Sequence, residues 1–221
     1  MTSLGNAGST VPLFVAGIGL LGLILSPVAE LFIAKLLPRL GGLPTPRVRV
    51  TTAVTTGFLC AAFAFRFEAD KVLPAFLLLA VLGMQLARID IALHLLPNPL
   101  VLSLLLGGLF CLLAAIVAGS GWSDSLRAVA GAAILFVIYL ILAIISPQGM
   151  GMGDVKFAAP MGLYLGYLGW SQLLYGGLLG FILNGVVTLF ILRRNRAVRP
   201  SEVPHGPSML FSAAGVALLL T

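Results

Sequence analysis

Charged residues are scarce in this chain. Only 9% of its 221 residues are Asp, Glu, Lys or Arg, whereas soluble domains carry about 25%. Hydrophobic residues make up 60% of the chain and the mean hydropathy is +1.12. Apolar runs long enough to cross a bilayer, which takes about 20 residues, recur along the whole length. This composition excludes an ordinary soluble protein. It predicts an all-α, polytopic membrane protein, with a bundle of about eight transmembrane helices in a single domain over 1–221.

Cysteine is almost absent as well. The two cysteines, Cys60 and Cys111, both lie inside apolar runs and form no CxxC pair. The sequence therefore favours buried free thiols over a disulfide framework or a zinc site. We expect no metal and no cofactor. The net charge of +6 is interpreted as membrane orientation and not as nucleic-acid binding, because Lys and Arg mark cytoplasmic loops. Residues 1–11 lack a basic region and a clear cleavage site, so no removable signal peptide is predicted.

Eight apolar segments are separated by polar turns or by Gly and Pro. The predicted spans cover about 12–36, 50–65, 72–89, 100–118, 128–145, 156–168, 171–192 and 208–220. The loop 39–49 contains two glycines and two prolines, Gly41, Gly42, Pro44 and Pro46, which we expect to prevent a helix there. The segments 156–168 and 208–220 are short for a span.

The basic residues test this arrangement, because successive loops alternate between the two sides of the membrane. Ten fall on one side, namely Lys35, Arg39, Arg47, Arg49, Arg88, Lys156, Arg193, Arg194, Arg196 and Arg199. Three fall on the other side, namely Arg66, Lys71 and Arg127. The positive-inside rule then makes the richer side cytoplasmic, with both chain ends outside the cytoplasm. The same alternation places Asp90 and Asp154 at the cytoplasmic face of the cell membrane.

Two of the seven acidic residues thus share one depth. If the carboxylates of Asp90 and Asp154 meet, repulsion keeps both from ionising at once, so one is a base while the other holds a proton. An aspartic protease uses this arrangement to activate water and to polarise a carbonyl. Alternatively, both side chains merely reach toward water from helix ends. We expect Gly151 and Gly153, with Gly149, to allow unusual φ and ψ values and close approach of a substrate.

Four stretches resemble one family, the bacterial type IV prepilin peptidases, which are membrane aspartic proteases of the GxGD kind. Residues 151–156 read Gly-Met-Gly-Asp-Val-Lys, similar to the motif of the second aspartate. Asp90 followed by Leu-Pro-Asn at 96–98 resembles the motif of the first aspartate. Residues 203–207 resemble a terminal Pro-Phe-Gly-Pro segment, with His205 in place of Phe. The end of the first span, 34–39, is similar to the family's opening helix.

The resemblance implies that Asp90 and Asp154 are catalytic. It implies cleavage of a short basic leader from a prepilin or pseudopilin at the cytoplasmic face, with the substrate's hydrophobic helix left in the bilayer. Members with a methyltransferase activity carry a cysteine-containing insert after the first span, whereas 39–49 is short and has no cysteine. The sequence therefore resembles a short, protease-only form. The resemblance does not indicate which pilin-like protein is cut, or the oligomeric state.

Other residues near the two aspartates are predicted to shape the site or contact substrate. Pro97 is expected, with Pro99, to end the helix after Asp90 and admit water. Asn98 belongs to the first motif, and Lys156 either tunes the charge of the pair or marks the end of a span. Two different functions stay open for the same aspartates, a transporter that relays protons or cations and a structural subunit of a pilus or secretion machine.

Three further features carry expectations about structure. Glu30 pairs with Lys35, faces another helix or is protonated. His94, one helical turn after Asp90, either bonds to it or marks the membrane boundary. Five glycines in the sixth and seventh segments predict close helix packing, namely Gly162, Gly166, Gly176, Gly177 and Gly180.

Overall fold

A computed structural model describes residues 7–119, 121–146, 150–194 and 203–220. Within these ranges the chain is helical and has no strand, which confirms the all-α prediction. The helices are α1 (Ala7–Leu36), α2 (Pro46–Phe67), α3 (Leu73–Leu93), α4 (Asn98–Val117), α5 (Trp122–Ile145), α6 (Met152–Leu168), α7 (Trp170–Arg194) and α8 (Gly206–Leu219). A short 3-10 turn, Pro38–Leu40, follows α1.

Six of these helices, α1 to α5 and α7, are long and apolar enough to cross a membrane. The multi-pass prediction is therefore confirmed, although two of the eight predicted spans form helices of fewer than the about 20 residues that a span usually takes. Helix α6 has 17 residues and α8 has 14, or about 26 Å and 21 Å at a rise of 1.5 Å per residue. The hydrocarbon core of a bilayer is about 30 Å thick.

Several helix boundaries differ from the predicted ones. Pro46 begins α2 and does not lie in the preceding loop, because the missing N–H of proline has no partner to lose at the start of a helix. Helix α3 runs past Asp90 to Leu93 and ends at His94, whose φ of +50° leaves the helical region. Pro97 caps α4. The expectation that prolines end the helix after Asp90 is therefore wrong.

The chain divides into two compact units, 1–85 and 86–221. That the whole chain forms one protease domain stays a prediction. In the first unit α1 packs tightly on α2, where a Cβ on Gly57 would lie 2.9 Å from the carbonyl oxygen of Gly19. Glu30 is buried and accepts a hydrogen bond of 3.0 Å from Nε of Arg49. Its ion-pair partner is therefore Arg49 of α2, not Lys35.

Helix α6 is the core of the second unit and contacts α4, α5, α7 and α8. Ten of its 17 residues are buried, which fits a short, glycine-rich helix surrounded by protein. A Cβ on Gly131 of α5 would lie 2.5 Å from the carbonyl oxygen of Gly162, and a Cβ on Gly166 would lie 2.7 Å from that of Arg127. The predicted close packing is confirmed at Gly162 and Gly166. It fixes the helix that carries Asp154.

Candidate aspartate site

Asp154 lies in the first turn of α6. Its Oδ2 accepts a hydrogen bond of 3.3 Å from the backbone N–H of Gly151, the residue that caps the helix. A carboxylate at this position also interacts favourably with the positive end of the helix dipole. The side chain is half-buried. Ordinary helix capping therefore positions this carboxylate, and the backbone around it is not strained.

The two motif glycines do not adopt unusual dihedral angles, and Gly153 serves packing. Gly151 has φ −77° and ψ 147°, an extended conformation open to any residue, and Gly153 is helical. The expectation of unusual φ and ψ is therefore wrong for both, and Gly149 lies outside the described residues. A Cβ on Gly153 would lie 3.2 Å from Cβ of Leu96. The lack of a side chain at Gly153 thus lets α6 approach the loop that follows Asp90.

That loop is attached to α6 by a second contact. Nζ of Lys156 donates a hydrogen bond of 3.0 Å to Oδ1 of Asn98, and both residues are exposed. Pro97, between Leu96 and Asn98, is buried. The predicted residues Pro97, Asn98, Gly153 and Lys156 therefore come together where the α3–α4 loop meets the start of α6.

Asp90 lies in the last turns of α3 and is only 5% exposed. Its Oδ2 accepts a hydrogen bond of 2.9 Å from the backbone N–H of Gly206, the first residue of α8. The amide groups at the start of α8 carry partial positive charge, which favours a carboxylate there. A Cβ on Gly206 would lie 2.8 Å from this oxygen, so the contact requires glycine.

The two carboxyl groups interact. Burial first, and the negative charge of Asp90 second, raise the pKa of Asp154 to about 6, while the amide of Gly151 opposes the shift. Each carboxyl also has its own backbone donor from a helix start. Such a pair holds a single proton over a pH range that ends at the raised pKa of Asp154. It has the chemistry of a general base beside a general acid.

Sequence reasoning missed three residues around Asp90. Gly206 lies within the terminal motif, but its role is a backbone contact that no side chain signals. The sequence distinguishes His205 only by its difference from Phe. Its Nε2 lies 3.1 Å from the hydroxyl of Tyr139, and both side chains are buried. Tyr139 sits in an apolar helix with no local signal of function.

A mostly apolar groove of about 680 Å³ runs beside this site. The end of α3, the second half of α7 and the start of α8 form its walls. The lining residues are Ile91, His94, Leu183, Val187, Ile191, Val203, Pro204, Pro207, Ser208 and Phe211. Two of its neighbours in sequence, Asp90 and Gly206, form the hydrogen bond of the site. His94 is exposed at the groove, and its backbone N–H bonds to the carbonyl oxygen of Asp90 at 2.8 Å.

Residues 72–190, just over half of the chain, match the model of the Type IV leader peptidase family. The chain belongs to this family. The resemblance expected from its motifs is thereby confirmed, and the matched range includes Asp90 and Asp154. Similar proteins named prepilin leader peptidase/N-methyltransferase occur in Stutzerimonas stutzeri, 31% identical over 180 residues, with 79% of this chain and 57% of the relative covered. The relative of the same name in Aeromonas hydrophila is 34% identical over 167 residues, with 74% of this chain and 55% of the relative covered.

The chain of this leader peptidase family member thus spans a little over half the length of these curated relatives. A relative of the same name in Pseudomonas aeruginosa is 31% identical over 180 residues, with 79% of this chain and 57% of the relative covered. No solved structure gives a significant match.

Proposed function

We propose that this protein is a membrane aspartic endopeptidase that removes the leader from type IV prepilin-like or pseudopilin substrates. The observation that carries the proposal is the coupled pair of Asp90 and Asp154. The two carboxyls come from different helices, each is held by an amide at a helix start, and the charge of one raises the pKa of the other. Relatives named prepilin leader peptidase support the substrate class.

The reaction needs water and one shared proton. The ionised carboxylate takes a proton from water as the water oxygen bonds to the scissile carbonyl carbon, and the protonated carboxyl gives its proton to the carbonyl oxygen. The tetrahedral intermediate then breaks its C–N bond. The leaving nitrogen takes a proton from one carboxyl while the other carboxylate takes a proton from a hydroxyl group of the intermediate, so the pair again holds one proton. Gly151, Gly153 and the Lys156–Asn98 contact shape the entrance to the pair.

We further propose that the groove beside Asp90 receives the apolar helix of the substrate. Its walls are apolar, and it begins at Ile91, the residue after Asp90. A hydrophobic segment held there keeps the adjoining leader near the carboxyl pair. The unequal distribution of Lys and Arg supports an active site at the cytoplasmic face of the cell, or inner, membrane.

We also propose that the protein lacks the N-methyltransferase activity in the names of its relatives. The connection between α1 and α2 holds a 3-10 turn and no cysteine. Residues 39–49, whose last four belong to α2, take the place of the family's insert. Incubation of purified protein with cleaved pilin and labelled S-adenosylmethionine is expected to leave the pilin unlabelled, and labelling of its new N-terminus would refute this part.

The peptidase itself is tested with Asp90→Asn and Asp154→Asn in proteoliposomes that contain a prepilin from the same genome. Removal of a general acid or base lowers rates by roughly 10² to 10⁴-fold, and we expect losses of this size from each variant. Asp124→Asn is the matched control, because that carboxylate pairs with Arg127 at the far end of α5. Normal cleavage by either active-site variant would refute the proposal. Ion flux that depends on both aspartates, without cleavage, would favour the transporter.

A further inference from the structure

Three aromatic rings from different parts of the second unit meet next to Asp90. The ring of Tyr139 on α5 stacks on that of Phe181 on α7, with centroids 4.9 Å apart. The ring of His205 lies 5.7 Å from Tyr139 and 5.4 Å from Phe181. His205 immediately precedes α8 and is only 7% exposed. The three rings hold the start of α8 against α5 and α7.

The hydrogen bond within this cluster gives it a defined geometry. Nε2 of His205 lies 3.1 Å from the Tyr139 hydroxyl. Burial lowers the pKa of His205 to about 4, so the ring is neutral near pH 7 and one of its nitrogens is an acceptor. A buried hydroxyl or ring nitrogen without a partner is costly. The bond therefore fixes the orientation of the imidazole with respect to α5, whereas a Phe at this position would pack there without that restraint.

The cluster is joined to Asp90 through the backbone. The peptide N–H of Gly206, one residue after His205, donates to Oδ2 of Asp90 at 2.9 Å. The His205–Tyr139 bond thus holds the residue that immediately precedes the amide bound to Asp90. Among the described ring contacts of His205, Tyr139 is titratable and Phe181 carries no charge.

We propose that His205 and Tyr139 are positioning residues, whose hydrogen bond fixes the Gly206 amide against Asp90 and thereby sets the separation of Asp90 from Asp154. Neither residue needs to touch the substrate. This role depends on the geometry of the His205–Tyr139 hydrogen bond. It goes beyond the proposed peptidase activity, because it concerns what keeps the two carboxyl groups at a fixed distance.

The test follows the titration of Asp154 by infrared spectroscopy of its carboxyl band, assigned as the signal lost in Asp154→Asn. Asp90→Asn removes the neighbouring charge and defines the full downward shift of the Asp154 pKa that this charge accounts for. His205→Phe and Tyr139→Phe are each expected to lower the Asp154 pKa by part of that shift, because an unanchored Asp90 moves away. The double variant is expected to equal the single ones, since all three lack the same bond.

Two controls separate positioning from packing. Phe181→Leu alters the ring cluster but keeps the hydrogen bond, and its Asp154 pKa is expected to match wild type. His205→Gln restores a polar partner for Tyr139 and is expected to recover the wild-type titration. Unchanged Asp154 titration in both Phe variants would overturn the proposal. Loss of the fold in both would also overturn it, because the bond would then support the structure and not the carboxyl. Cleavage is not measured, so a failure of the peptidase proposal leaves this test intact.

Discussion

Gly206→Ala is expected to slow cleavage strongly and to leave the fold intact. The new methyl group would lie 2.8 Å from Oδ2 and 3.4 Å from Cγ of Asp90, whereas carbon and oxygen atoms out of bonding contact stay more than about 3 Å apart. The carboxyl must retreat, and its hydrogen bond of 2.9 Å to the Gly206 amide lengthens or breaks. The atom that moves is the end of a flexible side chain, so the cost to stability is small.

The size of the effect follows from that hydrogen bond. A hydrogen bond to a charged group contributes about 1.5–3 kcal/mol, and each 1.4 kcal/mol changes a rate about tenfold. If the bond is needed to place Asp90 in the transition state, kcat falls by up to roughly 10- to 150-fold. We expect KM to change little, because Gly206 contacts Asp90 and does not line the groove.

The assay is single-turnover cleavage of a prepilin in proteoliposomes, with thermal unfolding as the measure of fold. Gly215→Ala is the matched control, since it lies in the same helix and a Cβ there would meet nothing within 4 Å. Both variants are expected to unfold near the wild-type temperature, and only Gly206→Ala is expected to lose activity. Wild-type kcat in a folded Gly206→Ala protein would refute the role assigned to this contact.

Asp154→Asn is expected to raise the unfolding temperature at about pH 8 and not below about pH 4, because the folded-state pKa of about 6 exceeds the ordinary value of about 3.9. Ionised Asp154 therefore destabilises the folded protein. This destabilisation is absent below the ordinary pKa and complete above the raised pKa, and equal changes in unfolding temperature at both pH values would contradict it. Val187→Trp, in the groove, is expected to raise KM for a prepilin several-fold, whereas Leu189→Trp, exposed on the same helix outside it, leaves KM unchanged; equal effects would argue against the groove. Arg49→Ala leaves the buried Glu30 carboxylate without its partner and is expected to lower the unfolding temperature more than Arg49→Ala with Glu30→Gln does, and the reverse order would argue against the ion pair.

The positions of the helices could be predicted from the sequence, because each depends on a local apolar run. The residues at which the helices begin and end were harder to predict. Pro46 reads as a helix breaker in isolation, yet proline is well tolerated in the first turn of a helix. The short lengths of α6 and α8 were visible in the sequence. Their places in the second unit were not, because what surrounds a helix depends on other helices.

The sequence alone determined that this is a multi-pass helical membrane protein of the leader peptidase family, and it singled out Asp90 and Asp154 among very few acids. Scarce charge in an apolar chain makes each carboxylate conspicuous. Only the tertiary structure showed that the Gly206 amide holds Asp90, that Gly153 serves close packing against Leu96, and that Arg49 partners Glu30. These contacts join residues 19 to 116 positions apart. Whether the distant group is a backbone donor, a missing side chain or a charged side chain on another helix, the local sequence does not indicate which residue it meets.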